Sequence, residues 1–258
     1  IDNAENSKYV LYDSTMLVDN GSECTVAHTH LEGIKDADKH IHNNKIAGDD
    51  CRKLEIATEA DWEFNNAGNT NSDIVGNLNL VEAIYSSTYN MKFFVVFQNI
   101  WTTLNDPYTT TMICNPSGYE RQFANNWSAN FGNIRRDISV LYTGKDLDGT
   151  TVGCAFTGAF GDDVNNNNAG QAYSVNEWKS SSALRTVIVA HEMGHNFGAS
   201  HNASGSNIMN ASIGSGTNQV FVAASQTQMN ADMDYVSAEK NDGRSAIRIR
   251  NYPTDSNM

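Results

Sequence analysis

Positive charge is scarce in this 258-residue sequence: 17 Lys and Arg stand against 30 Asp and Glu, a formal net charge of −13. That shortage excludes the basic patches that nucleic acid and anionic membrane surfaces require, so neither is expected as a partner. Long apolar runs are also missing. The longest, around Phe93 to Phe97, is strand-sized and far short of the roughly 18–20 residues that cross a bilayer. Cysteine is limited to Cys24, Cys51, Cys114 and Cys154. None lies in a Cys-x-x-Cys pair, which argues against a thiolate zinc site. An even, scattered set suits two disulfides made in an oxidising compartment, so the expected location is secreted. Three pairings are possible, of which Cys24–Cys51 with Cys114–Cys154 is favoured. No internal repeat appears. No signal-like segment opens the sequence, so residue 1 is expected to follow a processing cut.

What is present divides into three parts. Residues 1–50 are polar and hold the pairs His28/His30 and His40/His42, which could chelate copper, nickel or zinc. From Arg52 the pattern becomes globular. Strands are predicted over Lys53–Ala60, Met91–Trp101, Ile138–Tyr142 and Thr151–Phe156. Helices are predicted over Asp73–Tyr85, capped by Asn71, Ser72 or Asp73, and over Gly118–Phe131 and Val220–Met233. Another starts at Ser181 or Ser182 and runs into a group of histidines. Gly161 to Gly170, with four consecutive asparagines, reads as a loop. The tail, 241–258, shows no clear element. Interleaved strands and helices imply an α+β domain over 51–240, with a mixed sheet and flanking helices.

The chemistry is concentrated in His191-Glu192-Met193-Gly194-His195-Asn196-Phe197-Gly198-Ala199-Ser200-His201. Leu184, Ile188, His191 and His195 fall on one helical stripe. Its first half faces core, and its second half presents two imidazoles one turn apart. Histidines at i and i+4 can both reach one zinc ion. Gly198 can take the left-handed conformation of a sharp helix exit, so that His201 returns to the same ion. Three neutral ligands leave a fourth position for water, the layout of a catalytic site. Glu192 is placed to take a proton from that water and pass it to a leaving amine. The five defining residues would coincide by accident with a chance on the order of 10⁻⁵.

This segment resembles the extended zinc motif of the metzincin metalloproteases, and Asn207-Ile208-Met209-Asn210 looks like their Met-turn. Within that clan the sequence is most similar to the adamalysin/reprolysin family, on Leu54-Glu55-Ile56-Ala57, on Arg136 to Gly144 and on Asp146 to Gly153. The resemblance runs from about Lys53 to Val236. It implies a two-lobed catalytic domain with a mixed twisted sheet, an active-site helix and a small C-terminal lobe. It further implies one catalytic zinc on His191, His195 and His201, Glu192 as general base, and Met209 as a hydrophobic base beneath the metal. The implied cleft borders an edge strand, where Thr151, Val152, Gly153 and Cys154 would pair with an extended peptide. Glu55 and Asp137 align with two ligands of a calcium site found in some members. Asn202 departs from the Asp usual after the third histidine, at a position that does not touch the metal.

The resemblance extends to a segment before the domain. Tyr9-Val10-Leu11-Tyr12 and Glu23-Cys24-Thr25-Val26 resemble the end of a reprolysin prodomain, which would make 1–50 a prodomain remnant. There a Cys24 thiolate could block the open zinc position, although Thr25 stands where a Gly is usual. A Cys24–Cys51 disulfide is the competing reading. The expected function is therefore a monomeric zinc endopeptidase acting on protein or peptide substrates. The alternative is a zincin-like module that binds protein without turnover, for which an intact Glu192 would have no use.

Overall fold

The computed structural model of the chain describes residues 7–11, 52–134, 136–158 and 172–239. The Cys24–Cys51 pairing, the His-x-His pairs, the Asn-rich loop and the tail lie outside them. The elements run β1 (Ser7–Leu11), β2 (Arg52–Ala60), α1 (Trp62–Asn66), α2 (Asn71–Tyr89), β3 (Met91–Trp101), α3 (Tyr119–Asn130), β4 (Ile138–Thr143), β5 (Gly153–Ala155), β6 (Tyr173–Glu177), α4 (Ser182–Asn196) and α5 (Ala223–Glu239).

These elements form one mixed six-stranded sheet in the order β1-β3-β2-β4-β6-β5. β3, β2, β4 and β6 are parallel, while β1 and β5 close the two edges antiparallel. β2 reaches β3 through α1 and α2, and β3 reaches β4 through α3, the long crossovers that parallel pairing needs. The class is α+β, of the metzincin-type arrangement the sequence implies.

Helices cover both faces. On one side Leu54, Ile56 and Ala60 of β2 pack with Leu78, Val81 and Tyr85 of α2, Val189, Ala190 and Met193 of α4, and Met229 and Met233 of α5. On the other, Ala57, Leu141 and Val175 meet Tyr119, Phe123 and Trp127 of α3. α2 begins earlier than predicted. Thr70 is its N-cap, and Asp73 accepts from the Thr70 N–H at 2.8 Å, closing a capping box. α4 is capped by Ser181, whose hydroxyl accepts from the Leu184 N–H at 3.3 Å.

β5 is shorter than the predicted Thr151–Phe156 because only Gly153, Cys154 and Ala155 find ladder partners in β6. Cys154 is bonded to Cys114, as favoured from the sequence. That disulfide ties the sheet edge to the loop that leads into α3.

Candidate active site

Three imidazoles converge at the end of α4. The Nε2 atoms of His191, His195 and His201 stand 3.0, 3.2 and 3.3 Å from one another. The first two lie one turn apart on α4. The third is delivered by a reversal at Gly198, whose φ of +88° is the left-handed exit its lack of a side chain permits. His191 is buried, His195 half-buried and His201 exposed.

The tautomers of two of these rings are fixed by what surrounds them. Nδ1 of His191 lies 2.6 Å from the Ile208 carbonyl oxygen, and Nδ1 of His195 lies 2.7 Å from that of Ala199. A carbonyl only accepts, so each Nδ1 carries the hydrogen and each Nε2 keeps a bare lone pair. Burial, followed by the neighbouring His195, pushes the His191 imidazole down to about 4. Burial also lowers His195. Lone pairs facing each other at 3.0 Å repel unless a cation lies between them. An ion bonded tetrahedrally at about 2.0–2.1 Å would hold its nitrogens about 3.3–3.4 Å apart, so the donor set fits zinc.

Glu192, which follows His191 on α4, is buried, and burial pushes its carboxyl up to about 8. Its neighbour on the sheet edge is Gly153 of β5. A Cβ built there would fall 2.6 Å from Glu192 Oε1. Of the four edge residues expected to meet substrate, Gly153 and Cys154 lie in β5, and Thr151 and Val152 precede it. Met209 is fully buried. Its sulfur lies 2.5 Å from where a Cβ on Gly194 would stand, so the helix turn between the first two histidines rests on the Met-turn.

Several supporting contacts could not be read from the sequence. Asn207 donates to the carbonyls of Asn202, Ser204 and Gly205 at 3.1, 3.3 and 3.3 Å, and accepts from the Met209 N–H at 2.9 Å. The Tyr85 hydroxyl donates to the Ala190 carbonyl at 3.0 Å, bracing α4 just before His191. Asn196 donates to the Phe156 and Tyr173 carbonyls at 2.9 and 3.1 Å, which anchors the far end of α4 to the sheet.

The expected calcium ligands do not assemble a site. The Asp137 carboxylate accepts from the Glu55 N–H at 2.7 Å, linking β4 to β2. The Glu55 carboxylate is paired with Lys53 Nζ at 2.8 Å. Among the described residues, the three histidines are the cluster able to hold an ion.

A mixed sheet with a three-histidine centre on its helix is the arrangement of a metallopeptidase domain. A reprolysin-type family model, described as metallo-peptidase family M12, matches residues 50–244. The chain belongs to that family. Its fold is similar to the crystal structure of metalloproteinase-II from Bacteroides fragilis, with a TM-score of 0.53 at 16% identity. That match covers 70% of this chain and 53% of the other, so the chain spans about half the length of that protein.

Proposed function

We propose that the domain hydrolyses internal peptide bonds of extended protein segments. The observation that carries this reading is the convergence of three imidazole Nε2 atoms at the end of a helix on which the buried Glu192 directly follows His191. His191, His195 and His201 would hold zinc, which when bound would supply Lewis acidity to the scissile carbonyl and to a water.

The remaining work falls to the chain. Glu192 takes the proton from the attacking water and returns it to the leaving amine nitrogen. Its burial, which raises its proton affinity, suits a general base. The outer edge of β5 pairs with the substrate backbone and aligns the scissile bond across the site. The Met209 side chain supports the metal-binding turn from below. Secretion is part of the proposal and is supported by the Cys114–Cys154 disulfide. The proposal also takes 51–240 as the catalytic domain, 1–50 as a segment before it whose β1 adds an edge strand to the domain's sheet, and the chain as a monomer.

The test is zinc-dependent cleavage of an unfolded protein substrate, lost with a chelator and restored by zinc. Glu192→Ala should keep one zinc per chain and lose about 10²–10⁴-fold in turnover. Near-normal turnover in that variant would refute the mechanism. A zinc-loaded chain that cleaves nothing would refute the activity.

A further inference from the structure

Gly153 has no backbone reason to be glycine. It sits in a regular strand, paired with Asn176 of β6, and its φ is not in the left-handed region. Space supplies the reason. The three atoms nearest to a Cβ at this position all belong to Glu192: Oε1 at 2.6 Å, Cγ at 2.8 Å and Cδ at 2.9 Å. The contact includes the stem of that side chain as well as its tip, so a small rotation of the carboxyl would not relieve it. The helix cannot back away either, because Asn196 holds it to the Phe156 and Tyr173 carbonyls.

We propose that Gly153 is a positioning residue, the surface against which the Glu192 carboxyl is seated, so that the substrate-pairing edge and the base are separated only by the thickness of a glycine backbone. This rests on the peptidase reading above. A side chain at 153 would displace the Glu192 carboxyl from the position it holds against β5. Misplacement of a reacting group by about 1 Å can cost on the order of 10²-fold in rate.

Gly153→Ala in the full chain tests it. One zinc per chain should be retained and the melting temperature should hold within a few degrees. Turnover should fall by about 10²-fold while KM stays within about threefold. In a Glu192→Ala background the same substitution should cost nothing further, because its effect passes through Glu192. A multiplied loss, or a loss expressed in KM, would place the role of Gly153 in the strand edge and overturn the proposal. Crystal structures of the zinc-loaded wild type and Gly153→Ala read the Glu192 rotamer without turnover. A displaced carboxyl supports the proposal even if the wild type cleaves no substrate, an outcome that would defeat only the peptidase reading. An unmoved carboxyl overturns it.

Discussion

The carbonyl oxygen of Ile208 lies 2.6 Å from Nδ1 of His191, so the Met-turn sets the tautomer of the most buried ligand. The turn and the metal site are therefore one mechanical unit, and damage to the turn should be read at the metal.

Asn207 is the residue to disturb. It is fully buried and makes four hydrogen bonds within the turn. Asn207→Ala should weaken zinc binding by about 10–100-fold, as loss of an outer ligand support generally does. Competition against a chelator of known affinity measures this. Wild-type affinity in the variant would show that the turn does not act through His191.

The Cys114–Cys154 bond closes a separation of 40 residues and ends inside β5. Loop-closure entropy for a span of that size gives about 4 kcal/mol. Cys114→Ser/Cys154→Ser should melt roughly 10 °C lower. Because the freed segment includes the edge strand, KM should rise while zinc content is unchanged. A variant with wild-type KM would mean that β6 alone holds β5 in place.

Glu59 provides a pH test away from the metal. Its carboxylate accepts from Trp101, Trp127, Tyr108, Asn99 and Asn126. Burial outweighs those donors and pushes the carboxyl from 4.5 up to about 7. The folded chain then holds this proton more tightly than the unfolded one. The stabilisation is complete below about pH 4.5 and is lost as pH rises through about 7, a change of about 3 kcal/mol. Glu59→Gln removes the titration. Calorimetry from pH 4.5 to 8 in zinc-saturated buffer should show wild-type stability falling relative to the variant. Parallel curves would contradict the shift.

The site was the most legible part of the sequence because its geometry is local. Helical spacing joins His191 to His195, and Gly198 supplies the reversal to His201. What escaped depends on partners remote in sequence. β6 went unread because all five of its residues are buried, including Ser174 and Asn176. Alternating polarity suggests a half-solvated strand, whereas the Asn176 amide donates to the Leu141 carbonyl inside the sheet at 3.2 Å. α5 starts at Ala223 rather than Val220, leaving Val220 as an exposed residue just before it. Glu55 and Asp137 align with calcium ligands only by resemblance, and in the fold the Asp137 carboxylate accepts from the Glu55 N–H while the Glu55 carboxylate pairs with Lys53 of its own strand.

The ligand set spans only 10 positions from His191 to His201, whereas joining β2 to β4 brings Glu55 to Asp137 across 82. In the unfolded chain, closing the shorter loop is easier by about 2 kcal/mol. Zinc should therefore find its three histidines before the sheet exists and retain some affinity for the unfolded chain. Ligand that binds both states stabilises the native one only by the difference. The rise in melting temperature on adding zinc should accordingly be smaller than native affinity alone would give.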